Sequence, residues 1–251
     1  MTTTLLAPPL TAPADLQVKL AEQGFAVLAP EAVSALSGVT SSDLLNLNNF
    51  WNDLPPDQYL KDGGRYRRRR HGSFLVQDDM VTQHVGRAHW QPLSYNALHG
   101  GMLRWFEPLD PAMVATPTWT RLLSFLGRVA STLRGKQTWY VEAHPFRIDT
   151  TDGIGRPTPE GAHRDGVDLV AVFLIGRHGI KGGETRVFDV NSPLGQRFTL
   201  TEPWSLLLLD DERVIHETTP IQPNGELGWR DTLVITLRAG GFLDEPTKTK
   251  T

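Results

Sequence analysis

Residues able to ligate a metal or clasp a carboxylate sit at the ends of three separate apolar runs in the second half of this chain. His163 and Asp165 lie in Thr158-Pro159-Glu160-Gly161-Ala162-His163-Arg164-Asp165-Gly166, a turn-rich entry to the apolar run Val167 to Ile175. His216 follows Leu206 to Leu209 and Asp210-Asp211, and Arg230 opens Thr232 to Leu237. The i, i+2 spacing of His163 and Asp165 puts both side chains on one face of a strand. A helix-borne site would instead show ligand pairs at i, i+3 or i, i+4, and the sequence offers no convincing one. Short strands with chemistry at their ends suit a small antiparallel barrel or jelly roll, which brings distant residues to one inner mouth.

Two imidazoles and one carboxylate form the ligand set of a facial triad, which holds ferrous iron on one face and leaves the opposite positions open. With no cysteine in the chain, disulfides, thiolate nucleophiles and sulfur-ligated metal sites are excluded, so a metal here takes nitrogen and oxygen ligands. Arg230 can fork around the far carboxylate of an oxo-acid bound at such a metal. Thr232, two residues on and on the same strand face, can add a hydroxyl hydrogen bond.

The blocks Pro159 to Gly166, Gly182-Gly183-Glu184-Thr185, Leu209 to His216 and Trp229 to Val234 occur in an order and spacing that resembles the Fe(II)/2-oxoglutarate-dependent dioxygenases. More narrowly they resemble the bacterial free L-amino acid hydroxylases typified by L-isoleucine dioxygenase. The likeness spans roughly residues 138 to 240, and the basic aromatic block from Arg65 to Phe74 extends it. It implies a mainly β, α+β chain with a double-stranded β-helix (jelly-roll) core and helical additions. It also implies His163, Asp165 and His216 as iron ligands, with Fe(II), 2-oxoglutarate and O2 as cofactor and cosubstrates. The reaction implied is hydroxylation of an unactivated C–H bond, coupled to conversion of 2-oxoglutarate to succinate and CO2. A peptidyl, carrier-bound or other small-metabolite substrate is the alternative, and a non-catalytic cupin-like binding domain is the alternative of a different class. Asp165 argues against a halogenase, which would carry a small residue there.

A free amino acid needs a cation for its carboxylate and an acceptor for its ammonium. The arginines between 65 and 70, Arg68 and Arg70 foremost, or Arg147 are the candidates for the first role; Glu160 and Asp168, with Glu142, are those for the second. Arg65 to Arg70 alternate with Tyr66 and lead to His71 and Phe74 as a strand would, and an edge strand blunted by charge explains them equally well. His144 and Arg147 share a strand on opposite faces unless Pro145 imposes a bulge. Asp210 and Asp211 can orient a ligand histidine or serve as turn residues. Glu184 fits the closing of a hairpin. His71, His84, His89, His99 and His178 have no sequence partner that would make them ligands.

Upstream, helices are expected at Pro13 to Gln23, Ser42 to Asp53 and Pro117 to Leu133, the last capped by Thr116 and ended by Gly135. A short strand is expected at Phe25 to Leu28. The stretch Asn96 to Pro117 reads as an ordered loop, and Glu245 to Thr251 as a polar tail. A length of 251 residues, 39% of them hydrophobic, suits one dioxygenase domain: additions in 1–137 and the iron-bearing core in 138–240. A net charge of -3 and a pI near 6.2 give no general attraction to nucleic acid or anionic membrane. No run approaches a membrane span and Met1 to Pro13 carries no basic leader, so a cytoplasmic enzyme acting on a small molecule is expected. A homodimer is compatible with the sequence.

Overall fold

The computed structural model describes residues 5–96, 98 and 100–244; His99 and the tail from Glu245 lie outside them. A 3-10 turn at Pro13–Asp15 runs into α1 (Leu16–Gln23). Gly24 ends it at φ 76°, a left-handed conformation that costs glycine little. There follow β1 (Phe25–Leu28) and α2 (Pro30–Ser37), a helix with no counterpart in the sequence reading. The expected helix Ser42 to Asp53 is divided into α3 (Ser41–Asn46) and a 3-10 turn at Leu47–Trp51. Asparagines are weak helix formers, and tertiary bonds take over at this point. Asn48 accepts from Trp204 Nε1 at 2.9 Å, and Trp51 Nε1 donates to the carbonyls of Phe146 and Thr232 at 3.1 and 3.2 Å.

The middle of the chain supplies β2 (Arg67–Arg69), β3 (Gly72–Gln77), β4 (Met80–Gln83), α4 (Pro111–Val114) and α5 (Pro117–Arg134). Thr116 Oγ1 caps α5 by accepting from Trp119 N at 3.1 Å. Then come β5 (Trp139–Asp149), β6 (Leu169–His178), β7 (Ile180–Gly182), β8 (Thr185–Asp189) and β9 (Gly195–Phe198). The last strands are β10 (Leu206–Asp210), β11 (Val214–Thr218), β12 (Ile221–Pro223) and β13 (Trp229–Ala239).

One large antiparallel sheet runs β1-β10-β6-β13-β5-β3-β4, with β2 also paired to β5; β11-β8-β9 and β12-β7 form two smaller sheets. Strand parity sorts the core into two layers. On the outer face Ala171, Phe173, Leu206, Leu208, Leu233 and Ile235 pack beneath helical residues including Leu20, Leu122 and Phe125. Between the sheets Val27, Val170, Leu174, Leu207 and Leu209 meet Val187, Phe198 and Val214. All four leucines of Leu206 to Leu209 are therefore buried, because both faces of β10 are covered, and each contributes about 1.5–3 kcal/mol. This is the expected mainly β jelly roll with added helices. β1 and β3, from the N-terminal half, are built into its main sheet. Beside this apolar interlayer, which Val167, Val172 and Val234 border, the inner positions of β2, β5 and β13 line a cavity and are polar apart from Phe146, Ile148 and Val234.

Candidate active site

His163 and His216 are brought together by a two-bond antiparallel bridge. Each backbone N–H donates to the other residue's carbonyl at 3.0 Å. Their rings lie 4.6 Å apart between centroids, and Asp165 completes a group whose ligand atoms all lie within 4.8 Å of one another. His163 Nδ1 is 2.9 Å from the Gly161 carbonyl, to which it donates, so Nε2 is the nitrogen left for a metal. Asp165 oxygens stand 3.9 Å from His163 Nε2 and 3.8 Å from His216 Nε2.

The turn carrying Asp165 is tied down by Asp211, whose carboxylate accepts from the backbone N–H groups of Asp165, Gly166 and Val167 at 3.0, 2.7 and 3.1 Å. Gly166 has φ +80°, and a Cβ there would meet the Tyr95 ring at 2.4 Å, so both conformation and contact require glycine.

Burial pushes the Asp165 carboxyl up, and burial beside His163 pushes His216 well down, which keeps that imidazole neutral. Burial also opposes protonation of His163, but the charges of Asp165 and Glu160 outweigh it and raise the group. Two neutral-capable imidazoles around a carboxylate, with one nitrogen oriented by a carbonyl, form a donor set that fits a divalent iron ion.

Arg230 and Thr232 project from β13 into the same cavity, on the face also occupied by Val234 and Thr236. The pairing of β13 with β6 shifts register between Asp231 and Thr232, a bulge of the kind that re-aims side chains beside sites. Arg230 is only 4% exposed and has no ion-pair partner among the described residues. Burial, and then the neighbouring Arg177, pushes its guanidinium down to about 10. A buried fork without a counter-ion suits the distal carboxylate of an oxo-acid.

Other expected site residues are placed differently. In β2 the side chains facing the cavity are Arg67 and Arg69, not Arg68 and Arg70. Arg68 is 42% exposed and pairs with Asp149, and Arg70 is held on the outside by Glu107 and the Pro108 carbonyl. Alternation in this run is as expected, but its phase is opposite. Arg147 is also outside the cavity, because β5 pairs with β13 in unbroken register and Pro145 creates no bulge. Its guanidinium instead makes a bidentate pair with Asp231 at 2.8 and 2.6 Å and lies over Trp229. Asp168 accepts from Ala239 N at 2.8 Å and joins the start of β6 to the end of β13, so it too lies outside.

Glu160 does line the cavity. One of its oxygens is 3.6 Å from His163 Nε2, and the other is buried without a hydrogen-bond partner among the described residues. Glu184 binds Arg186 at the β7–β8 turn, a structural place. Asp210 binds Arg134 at 2.5 Å, which leaves Asp211 as the residue that organises the site.

A second buried group, His71, His89, Glu142 and His144, also has its donor atoms within 4.8 Å. Glu142 Oε1 is 3.0 Å from His71 Nε2 and 2.9 Å from Arg87 Nη1, while Arg69 Nη2 is 2.6 Å from His144 Nδ1. Guanidinium only donates, so His144 Nδ1 accepts and its Nε2 carries the proton. Burial, reinforced by Arg69, keeps His144 neutral, and burial drives His89 down to about 3. Two guanidiniums already occupy these acceptors, so a cation would be repelled there. The group is a hydrogen-bonded wall and not a second metal centre. The sequence reading missed it, although Arg67, Arg69 and His71, like Glu142 and His144, repeat at every second position.

The fold and the donor set together define a jelly-roll protein with a two-histidine, one-carboxylate centre. Residues 48–236 match the family model described as 2OG-Fe dioxygenase, and the chain belongs to that family. The enzyme is therefore a 2-oxoglutarate-dependent dioxygenase that uses Fe(II), 2-oxoglutarate and O2. A crystal structure of a bsmA homolog from Methylobium petroleophilum PM1 is 52% identical, covers 95% of this chain and 97% of that one, and superposes with a TM-score of 0.89. IDO from Bacillus thuringiensis is 17% identical over 93% of this chain and 100% of that one, with a TM-score of 0.73. The Fe(II)/(alpha)ketoglutarate-dependent dioxygenase TqaL is 21% identical over 90% and 86% of the two chains, with a TM-score of 0.68. These last two likenesses show the fold alone. A comparison with curated proteins gives no match. Among the described residues no helix is long and apolar enough to cross a membrane.

Proposed function

We propose that this dioxygenase hydroxylates an unactivated C–H bond of a free L-amino acid. In this reading His163, Asp165 and His216 hold the iron, while Arg230 and Thr232 clasp 2-oxoglutarate. The observation that carries it is a single cavity in which this triad and Arg230 stand beside ionisable groups of both signs, Glu160 and the buried arginines of β2. Such a lining matches a small zwitterion better than an extended or uncharged substrate.

When bound, the iron and its cosubstrates supply the oxidation, in which 2-oxoglutarate and O2 become succinate and CO2 and the remaining oxygen atom enters the C–H bond as hydroxyl. The chain's own part is positioning. The Gly161 carbonyl fixes the His163 ring through Nδ1, and Asp211 fixes the Asp165 backbone. Glu160, whose free oxygen faces no donor among the described residues, accepts the substrate ammonium. Phe146, Val172 and Val234 provide apolar wall that displaces water around the reacting carbon.

We take the chain to work as one dioxygenase domain on a cytoplasmic metabolite pool; light scattering would report whether it does so as a homodimer. The test is succinate formation by iron-reconstituted protein with 2-oxoglutarate and air, screened against free L-amino acids one at a time. Stimulation by one of them, with a mass gain of one oxygen, is the expected result. No stimulation by any, despite binding of iron and 2-oxoglutarate, would move the substrate to a carrier-bound or larger molecule.

A further inference from the structure

We infer that Arg69, Arg104 and the Nε2–H of His144 form a carboxylate subsite for the substrate, distinct from the Arg230 position. Arg69 is 4% and Arg104 2% exposed, and neither has a carboxylate within ion-pair distance among the described residues. The faces of the Arg69 guanidinium are covered by Phe106 and Phe146, whose ring centroids lie 3.9 and 4.4 Å from Cζ. Only its N–H edge is left for polar contact, and of that edge one nitrogen is spent on His144 while Nε is buried without a partner. Arg104 uses one nitrogen on Gln91 Oε1 at 2.9 Å, and its Nε is also buried and unpartnered.

Burying a guanidinium without an anion costs several kcal/mol. Two side by side would be disfavoured unless a ligand supplies the negative charge. The adjoining carboxylates attract both guanidiniums through space but none reaches ion-pair distance of them, since Asp57 is bound to Arg67 at 2.8 Å and Glu142 is held by His71 and Arg87. His144 adds a third donor, because its Nδ1 accepts from Arg69 and its proton is thereby placed on Nε2. A set of donors with no acceptor, all lining the cavity that contains the triad, is a receptor for an anion. Planar, forked donors favour a carboxylate.

Gln91 connects this subsite to the metal centre, since its Nε2 donates to Asp165 Oδ1 at 3.3 Å while its Oε1 accepts from Arg104. An occupied subsite would thus fix the substrate's head group relative to the iron ligand. The inference rests on the amino acid reading and adds the residues that select for an α-carboxylate.

The experiment uses iron-loaded protein with 2-oxoglutarate, and reads both succinate formation and anaerobic calorimetric binding. Each free L-amino acid that responds is compared with its primary amide on the unaltered enzyme. The expected result is a loss of about 30-fold or more in affinity for the amide, with a matching rise in KM for the acid in Arg69→Met and Arg104→Met. Arg69→Lys should recover part of it. Arg68→Met, on the opposite face of the same strand, should leave KM as it is. An amide that binds within threefold of its acid overturns the subsite while leaving the amino acid reading intact, and this comparison stands even if an arginine variant fails to fold. If no free amino acid responds, N-acetyl-L-amino acids and short-chain monocarboxylates are the next probes. A carboxylate-dependent response that is lost in both arginine variants would keep the subsite and remove the amino acid reading; no response would overturn the subsite as well.

Discussion

Asp211→Asn changes one oxygen for an amide nitrogen at a carboxylate that receives three backbone N–H groups from Asp165, Gly166 and Val167. Its two oxygens divide the work: Oδ1 takes Asp165 N, and Oδ2 takes both Gly166 N and Val167 N. An asparagine oriented to keep the pair on its remaining oxygen presents its NH2 to Asp165 N, and the opposite orientation gives up two bonds. Burial, and then the charge of Asp165, pushes the Asp211 carboxyl up to about 7, so with the measurement made above that value at least one charge-assisted bond is lost, worth about 1.5–3 kcal/mol, and the survivors weaken because the acceptor is now neutral. The loss falls on a turn that holds a metal ligand, so it should divide between global stability and site geometry. We expect the metal-free protein to lose about 2–3 kcal/mol in urea unfolding and Fe(II) affinity to fall about 10–100-fold in competition with a chelator. A variant that binds Fe(II) within twofold of the original would refute the reasoning, since Asp211 would then be a turn residue with no hold on Asp165.

Three further outcomes are expected. Asp165→Ala should abolish succinate formation and Fe(II) retention together, and full activity in that variant would remove Asp165 from the ligand set. Gly166→Ala should cost about 1–3 kcal/mol and weaken iron binding, because a Cβ at φ +80° meets the Tyr95 ring at 2.4 Å; an unchanged thermal midpoint would contradict this. Arg147→Met should destabilise the fold by about 2–3 kcal/mol at neutral pH while leaving substrate and 2-oxoglutarate KM values alone, since Arg147 is 20% exposed and its partner Asp231 only 3%. Burial already pushes the Asp231 carboxyl up against the pull of Arg147, and without that cation the folded-state value rises further above the unfolded one. A raised acid contributes stability that is complete below its unfolded pKa and lost as pH rises through the folded value. The penalty of Arg147→Met should therefore be small near pH 4 and grow toward neutrality, and urea unfolding that shows it independent of pH would show that Asp231 is not left buried and charged.

The metal group and the jelly roll were legible because each depends on short-range pattern. His163 and Asp165 share a strand face whatever the rest of the chain does, and the apolar runs that follow them and precede His216 mark where strands begin and end. The substrate wall was less legible, and Arg67 to Arg70 show why. Four consecutive arginines carry no apolar partner to say which parity points inward, and a shift of one residue sends every side chain to the other face. That phase is set from outside the segment: Arg67 pairs across to Ile148 and Arg69 to Phe146, and Asp57 receives Arg67 in the interior. Arg147 was misplaced for the same reason, since Asp231 on the neighbouring strand decides the question. The contribution of Gln91 and Arg104 depends on a loop whose ends are joined by the His89–Arg104 bridge, a contact without periodicity. Chemistry fixed by spacing along one strand can thus be read from the chain, whereas chemistry fixed by cross-strand register and loop return appears only when the neighbouring strands are in place. The carboxylate subsite is of the second kind: β2, β5 and the returning loop each supply one of its donors.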